Sequence, residues 1–382
     1  MTFIAYQILV ATIVLILAYR KVLDFQRGLI FLGVQFVVAG GAALIAREMC
    51  LSDTQTINGA VTSKVKEQVS CSHDYRCHCH QVEHCSEGTS SCDSKGRCTK
   101  GPRSCHYEEE CDTCYEHSHD YSWVVKSSTT YEYVINRIDR QGVKEPGRWT
   151  EVKIGDPTAD ISGYKNYLLI DPGSLFRKQA KDHYPDLKYP GEIYDYYKIN
   201  RIIGDSAGPY VGYNDQLSRI NIQVGTQRQG NVILVLTKHP HDYFYHVQKQ
   251  WVGGKKNDVV VFVGLGPERS ITWSDVLAWS KTKDVQDRLR EDLVEMKTFE
   301  PEAALKVIQK NVLTYYQRKP MADFEYLRYS VPETTAQTLA PLLTTLLLAI
   351  GFFFLEKSLQ REKAMLSSSR IRYRSLGVLH RR

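Results

Sequence analysis

The chain has 382 residues, of which 43% are apolar and 24% charged, and this balance excludes a chain that is disordered throughout. Its 49 lysines and arginines exceed its 43 acidic residues by six, and such a basic surplus raises the question of nucleic-acid binding. The cysteines are the other unusual feature, because nine of the ten lie between Cys71 and Cys114. The length allows two or three globular units.

Three segments are long and apolar enough to cross a bilayer as helices, which takes roughly 17–25 residues. They cover residues 2–19, 29–46 and 335–355, and none contains a charged side chain. A charge at the bilayer centre costs about 2.5–3.5 kcal/mol, so this absence favours membrane helices over buried core helices, which are the alternative. The first segment has no basic start and no small-x-small site before Arg20, which argues against a cleaved signal peptide.

The charges that flank these segments predict an orientation. The turn at residues 20–28 carries a net charge of +2 and the tail at residues 356–382 carries +6, whereas the rest of the chain carries −2. Basic loops stay in the cytoplasm, so we expect the turn and the C-terminus there and residues 47–334 outside. None of the asparagines lies in an Asn-x-Ser/Thr site, which favours a bacterial or bacterial-virus protein of the cell inner membrane with a periplasmic domain.

The tail adds a predicted contact with lipid. Beside a membrane, each arginine is attracted to anionic lipid by about 1 kcal/mol. Because orientation and lipid attraction account for the basic surplus, the expected partner of the tail is the lipid bilayer and not nucleic acid. The arginines concerned are Arg370, Arg372, Arg374, Arg381 and Arg382.

Residues 47–70 are polar and weakly patterned, which is typical of a stalk that lifts the following module off the membrane. That module, residues 71–120, is rich in cysteine and histidine, and Val82 is its one aliphatic side chain. Without an apolar core it needs covalent cross-links, each worth roughly 2–4 kcal/mol, and disulfides persist in oxidising compartments. The disulfide candidates are Cys50, Cys71, Cys77, Cys79, Cys85, Cys92, Cys98, Cys105, Cys111 and Cys114.

Nine cysteines in the module is an odd number, and three explanations are open. One thiol stays free, or Cys50 at the end of the second apolar segment supplies the tenth partner, or one cysteine joins two chains into an oligomer. Pairing cannot be read from spacing alone.

The histidines of the module make zinc binding the alternative to disulfides. Thiolate and neutral imidazole are the usual ligands of tetrahedral zinc, and the sequence contains Cys-x-Cys and Cys-x-x-Cys spacings. The candidate ligands are Cys77, Cys79, Cys111, Cys114, His117 and His119. Because no clean pair of Cys-x-x-Cys motifs occurs, disulfides are the preferred prediction, no cofactor is predicted, and a zinc-binding or redox-active module is the alternative.

Residues 121–213 are predicted to form a β-rich connector that ends in a loop. Residues 121–134 are rich in β-branched and aromatic side chains, and residues 149–154 alternate apolar with polar, so each predicts a strand. Prolines and tyrosines are interleaved from Asp171 to Tyr213. Tyrosines of this kind either form a recognition surface or pack the loop onto its own domain, and we favour packing.

Residues 214–334 have the clearest pattern, in which apolar strands alternate with amphipathic helices, and this predicts an α/β domain. Asn214 is expected to cap the first helix. The predicted helices cover residues 215–224 and 242–251, residues around Val285 to Met296, and a segment that begins at Pro301. The predicted strands cover residues 231–237, 258–264 and 270–273.

The order of these elements over residues 214–321 resembles that of a TPM domain. Members of that family place an α/β domain outside a membrane, with a tryptophan-glycine segment and an Asn-Asp pair before an apolar strand. Here the matching residues are Trp251, Gly253, Gly254, Asn257 and Asp258. The resemblance implies a membrane-tethered domain, and it implies either a phosphatase or a helper of membrane complexes. The family's opening Asp-x-x-Gly-x-Leu phrase is missing or blurred into residues 204–208, which puts hydrolase activity in doubt.

Apart from this resemblance, the sequence contains few candidate residues for catalysis or ligand binding. His239, His241 and Asp242 follow the first core strand, at the end of the strand where α/β folds bind ligands, although a solvated loop that caps a helix is the preferred interpretation. No nucleophile elbow and no zinc-protease motif occurs. We therefore predict a non-enzymatic membrane protein whose cysteine module and tyrosine loop bind a protein or envelope partner. The alternative is a TPM-like hydrolase that uses Asp258.

Overall fold

The fold was determined as a computed structural model of the chain. It describes residues 3–20, 24–86, 90–92, 98–100, 102–169, 184–329 and 335–378. The helices are α1 (Phe3–Tyr19), α2 (Phe25–Cys50), α3 (Gly147–Glu151), α4 (Asn214–Arg228), α5 (Asp242–Gln250), α6 (Asp284–Glu295), α7 (Pro301–Tyr315) and α8 (Thr335–Val378). The strands are β1 (Ser52–Val69), β2 (Asp74–Ser86), β3 (Ser90–Cys92), β4 (Cys98–Lys100), β5 (Ser104–Tyr115), β6 (Asp120–Ser127), β7 (Glu132–Ile135), β8 (Pro157–Lys165), β9 (Ile202–Ile203), β10 (Asn231–Thr237), β11 (Asp258–Leu265) and β12 (Ile271–Ala278).

Among the described residues, two helices are long and apolar enough to cross a membrane: α2, and the part of α8 from Leu339 to Glu362. The helix α1 is also apolar but has 17 residues. Of the tail arginines that were expected to contact lipid, three lie on α8, and Arg381 and Arg382 lie outside the described residues.

Polar side chains connect these three helices at widely spaced levels. The Tyr6 hydroxyl on α1 donates a hydrogen bond to the Pro341 carbonyl on α8, at 3.2 Å. Near the middle of α2, the Gln35 amide donates to the Thr345 hydroxyl at 3.0 Å, and Gln35 is fully buried. At the start of α2, Arg27 forms a 2.8 Å ion pair with Glu356. Buried polar contacts of this kind fix how apolar helices pack, because few alternative partners exist on an apolar surface.

The first sheet has the strand order β7-β6-β1-β8, and its neighbouring strands are antiparallel. The stalk predicted at residues 47–70 is therefore wrong, because Ser52–Val69 is an 18-residue strand with partners on both sides. The sequence pattern did not predict this strand because Thr56 and Asn58 are buried at positions where a strand more often carries apolar residues.

The core of the first sheet explains a second correction. Residues 149–154 were predicted as a strand, but α3 occupies Gly147–Glu151. Pro146 lies just before that helix, and Trp149 packs edge to face on Trp123 with ring centroids 5.1 Å apart. One helical turn brings the indole onto the sheet, so burial of the ring decides the local structure.

The second sheet has the order β12-β11-β10-β9, in which β9, β10 and β11 are parallel and β12 is antiparallel. Helices α4, α6 and α7 cover one face, and α5 covers the other. Every residue of β10 and β11 is buried, as the apolar runs predicted. The mixed α/β fold is confirmed, and the strand predicted at residues 270–273 extends over Ile271–Ala278.

Asn214 does not cap α4 as predicted. It is the first residue of that helix, and its side-chain oxygen accepts a hydrogen bond from the Arg201 amide at 2.7 Å. The helix then crosses β1 at Gly225, where a Cβ would lie 2.6 Å from the Asn58 carbonyl oxygen. Only glycine allows the helix to approach the strand this closely.

The described part of the tyrosine-rich loop packs onto its own domain, as expected. Tyr184 contacts Tyr243 of α5 edge to face, and Tyr189 contacts Trp251 in the same way, with ring centroids 5.5 and 5.1 Å apart. Residues 171–183 of the predicted loop lie outside the described residues. The loop from Tyr184 therefore closes the α5 face of the second sheet.

Candidate functional site

Strands β2 and β5 form a long antiparallel hairpin, which we call the arm. Most of its residues are exposed on both faces, so it buries little apolar area against the rest of the protein. A lone two-stranded hairpin is marginally stable in water. The arm therefore needs stabilisation from within itself or at its base.

Covalent cross-links supply that stabilisation. Three pairs of cysteines lie at disulfide bonding distance across the arm, with Cα separations of 5.8, 4.0 and 4.0 Å: Cys77 with Cys114, Cys79 with Cys111, and Cys85 with Cys105. Cys92 and Cys98 are partners in the backbone register of β3 and β4. Cys50 and Cys71, which were also disulfide candidates, lie outside the three pairs. The four cysteines proposed as zinc ligands, Cys77, Cys79, Cys111 and Cys114, are thus paired with one another instead.

At the base of the arm, where the chain enters β2 and leaves β5, four ligand-type side chains converge. We call Cys71, His73, His117 and Asp120 the root cluster, and one donor atom of each lies within 4.8 Å of all the others. The Cys71 sulfur is 3.9 Å from His73 Nδ1 and 3.8 Å from His117 Nδ1. The Asp120 oxygens lie 3.3 Å from His73 Nδ1 and 3.4 Å from His117 Nδ1.

Asp120 is the most constrained member of the root cluster, because its side chain is fully buried. Burial alone would raise the pKa of this carboxyl, but hydrogen bonds from the Ser72 amide and from Arg137 hold it well below its usual range. The Ser72 amide lies 3.1 Å, and the Arg137 guanidinium 2.9 Å, from Oδ2. The other oxygen, Oδ1, is buried and accepts no hydrogen bond from any described residue.

Sequence reasoning found one member of the root cluster, His117, and missed three. His119 was also a candidate ligand, but its ring is bound by the Ser118 and Tyr121 hydroxyls, at 2.9 and 3.0 Å. The missing members had a local signal in the sequence: Cys71-x-His73 before the arm and His117-x-x-Asp120 after it. Strand pairing brings these two short motifs together.

Asp258, the candidate catalytic carboxylate, starts β11 and is 1% exposed. Its oxygens accept hydrogen bonds from the Asn231 amide at 2.9 Å, the Tyr189 hydroxyl at 2.8 Å and the Lys255 backbone at 3.0 Å. Ligands of parallel sheets bind at the carboxyl ends of the strands, whereas Asp258 lies at the opposite end. This carboxylate therefore belongs to a buried structural network.

The histidines after β10 have separate partners. His241 Nε2 lies 2.8 Å from Asp275 of β12, and the His239 ring packs on Tyr243 with centroids 4.7 Å apart. Asp242 is the first residue of α5. Among the described residues, these side chains belong to no group of three or more ligand atoms within 4.8 Å of one another. The segment is thus a loop before a helix, but the predicted cap is wrong, because Asp242 is the first residue of α5 and no side-chain hydrogen bond caps its start.

No protein-family model, no curated protein and no solved structure matches this chain. The function is therefore inferred from the residues of the arm, its base and the apolar helices.

Proposed function

We propose that this protein is a membrane-anchored binding protein, and that its arm binds a protein partner with a basic surface outside the cytoplasm. The observation that carries this proposal is the arm itself: a hairpin stabilised by disulfides, exposed on both faces, and not needed to complete the core of either sheet. Ordering some twenty exposed residues of the arm costs conformational entropy of roughly 1–2 kcal/mol for each residue. Because the arm does not complete a core, binding is the role that best explains its exposed surface.

The chemistry of the arm indicates the class of partner. Over residues 74–86 and 104–115 there are six acidic residues and one arginine, which gives a net charge of −5. Three tyrosines on the same strands are strongly exposed, between 51% and 66%. Tyrosine supplies contact area at low entropic cost, and a charged rim guides association with a surface of opposite sign. The exposed tyrosines are Tyr75, Tyr107 and Tyr115.

For the membrane topology we propose three crossings, by α1, α2 and α8, with the basic turn and tail in the cytoplasm. The basic residues beside the helices and the disulfides of the arm support the same orientation by independent physical arguments. Polar contacts between α1, α2 and α8 support their association as one bundle. The setting in the cell inner membrane is part of this proposal.

The topology predicts opposite results at two insertion sites. A reporter enzyme that is active only outside the cytoplasm should be active when inserted between Lys144 and Glu145, which are exposed, and inactive when fused after Arg382. The measurement is reporter activity per amount of fusion protein in cells. An inactive insertion together with an active C-terminal fusion would show that the orientation is the reverse of the proposed one. Activity at both sites would show that α8 does not cross the membrane.

The binding role predicts a crosslink that depends on the charge of the arm. With a photoreactive residue in place of Tyr107 in the full chain, irradiation of intact cells should yield one protein adduct, and mass spectrometry should identify a partner with a basic surface. Replacing Glu108, Glu109 and Glu110 with lysine should abolish the adduct, because the like charges would then repel the partner.

A matched control makes this test specific. Lysine at Glu291, Glu295 and Glu302, all exposed on α6 and α7, changes the net charge of the protein by the same amount and should leave the adduct intact. The proposed binding role is wrong if the three lysine substitutions in the arm leave the adduct unchanged, or if the control substitutions abolish it equally. It is also wrong if the photoreactive residue labels only lipid.

A further inference from the structure

We infer that the root cluster is a structural zinc site, with Cys71 Sγ, His73 Nδ1, His117 Nδ1 and Asp120 Oδ1 as its four ligands. This inference is independent of the proposed binding role, since it concerns how the arm is held and not what the arm binds.

The distances between the donor atoms fit tetrahedral zinc. Bond lengths of about 2.0–2.1 Å to nitrogen or oxygen and about 2.3 Å to sulfur place neighbouring ligand atoms about 3.3 to 3.6 Å apart in a tetrahedron. His117 Nδ1 lies 3.4 Å from Asp120 Oδ1, and the Cys71 sulfur lies 3.8 and 3.9 Å from the two imidazole nitrogens. His73 Nδ1 lies 3.3 Å from the other carboxylate oxygen, Oδ2. A contraction of a few tenths of an ångström at Cys71 would bring the two sulfur-nitrogen separations into this range.

The surroundings leave the correct atoms available for a metal. Ser72 and Arg137 bind Asp120 Oδ2 and thereby orient the carboxylate, while Oδ1 is buried without a hydrogen bond from any described residue. Outer contacts of this kind commonly orient metal ligands. Cys71 is 8% exposed and lies outside the three disulfide pairs.

Charge and ligand type both favour zinc. Arg137 already pairs with the Asp120 carboxylate, and a divalent cation would compensate the buried Cys71 thiolate as well. Sulfur and imidazole ligands suit zinc better than calcium or magnesium, which take oxygen ligands. Three other groups of ligand-type side chains occur among the described residues, but each contains a cysteine that is paired as a disulfide. The root cluster differs from them because its thiol is available.

The site also accounts for the odd cysteine of the module. Three pairs cross the arm, and Cys92 faces Cys98 in the backbone register, so Cys71 is the ninth. With four protein ligands the site has no open position, which is typical of structural zinc. Two ligands precede β2 and two follow β5, so the metal would cross-link the base of the arm where it joins β6.

Metal analysis of the intact protein tests this assignment. The full chain is purified in detergent through a tag that contains no histidine, and its metal content is measured by mass spectrometry. We expect one zinc per chain, and less than a tenth of that in Cys71→Ser and in His117→Ala. The control is His84→Ala, which removes an arm histidine whose ring faces Glu110 instead of the root cluster, and which should retain the metal.

A second measurement needs no variant that might misfold. Wild-type protein is stripped with a chelator and reloaded with Co²⁺, which should produce the strong visible bands of tetrahedral cobalt and a thiolate-to-cobalt charge-transfer band. The Cys71→Ser variant, if folded, should lack the charge-transfer band. Three results would overturn the assignment: wild-type protein that neither contains zinc nor develops these bands, a Cys71 thiol that reacts with a thiol reagent equally before and after zinc is added, or zinc retained in both ligand variants.

Discussion

Replacing Arg201 with alanine is expected to lower the free energy of unfolding by about 3–5 kcal/mol, the range for removing one partner from a buried charged network. Arg201 is 2% exposed, and burial lowers its pKa to about 10. Its guanidinium donates to the side-chain oxygens of Asn58 on β1 and of Asn231 on β10. The substitution would leave the Asn58 oxygen without a donor, and the Asn231 oxygen with only the Asn58 amide, 3.2 Å away, at the junction of the two sheets.

The measurement is guanidinium denaturation of the full chain in detergent, followed by tryptophan fluorescence. All five tryptophans lie between Trp123 and Trp279, outside the apolar helices, so the signal reports the two sheets. The matched control is Arg219→Ala, whose side chain is 63% exposed and 3.7 Å from Asp156, and which should cost less than about 0.5 kcal/mol. Equal losses in the two variants would show that Arg201 does not hold the sheets together.

The second large effect is a dependence of stability on pH that comes from Asp258. Burial raises the pKa of this carboxyl from 3.8 to about 6, although Asn231, the Lys255 amide and Tyr189 donate hydrogen bonds to it. Because the folded protein holds the proton to higher pH than the unfolded chain, the contribution to stability is complete below pH 3.8 and is lost as the pH rises through about 6. At about 1.36 kcal/mol for each pKa unit, the expected loss is about 3 kcal/mol.

Comparison with Asp258→Asn isolates this contribution. Other titrating groups cancel in the difference, so the unfolding free energy of the wild type minus that of the variant should fall by about 3 kcal/mol between about pH 4 and pH 6 and then level off. The asparagine offsets the whole curve, because its amide N–H would face another donor, either the Lys255 N–H or the Asn231 amide, but the offset leaves the slope unchanged. A curve that is flat, or that rises with pH, would contradict the raised pKa.

A control with the opposite sign is available at Asp139. Hydrogen bonds from the backbone amides of Lys144, Val143 and Gly142 lower the pKa of this carboxyl. Its contribution is therefore present above its unfolded pKa and is lost as the pH falls. The unfolding free energy of the wild type minus that of Asp139→Asn should therefore rise with pH. The two variants thus predict opposite pH dependences in the same set of measurements.

The sequence was sufficient for the two central strands of the second sheet, β10 and β11, because they are buried on both faces, whereas β9 lies in the segment that was predicted to be a loop. The runs at β10 and β11 are uninterrupted and apolar, and α4 to α7 have helical periodicity. Here the hydrophobic pattern and the tertiary structure give the same answer.

The central strand β1 could not be predicted in this way, because its buried face is polar where it meets Arg201. Asn58 is buried next to the guanidinium, and the Thr56 carbonyl accepts a hydrogen bond from Asn257 at 2.6 Å. Such a strand satisfies its buried positions with hydrogen bonds supplied by residues far along the chain. Those partners are visible only after folding.

The root cluster has a similar explanation. Its two halves are separated by the whole arm, 49 residues from Cys71 to Asp120, and become neighbours through the pairing of β2 with β5 and of β1 with β6. The sequence identified the right residue types in the right module. It could not separate cysteines that pair with one another from the one that faces two histidines, since disulfide connectivity is not encoded in spacing.

The joint between α2 and β1 has a mechanical consequence. A single residue, Leu51, separates the helix from the strand, and it is 2% exposed. The Leu51 carbonyl accepts a hydrogen bond from the Asn166 amide at 2.7 Å, and Glu48 pairs with Lys165 across the joint at 2.5 Å. The helix α2 and the strand β1 are thus joined without a flexible linker. The strand extends at most about 60 Å, so a tilt of α2 would be transmitted as a sweep of the arm at its far end.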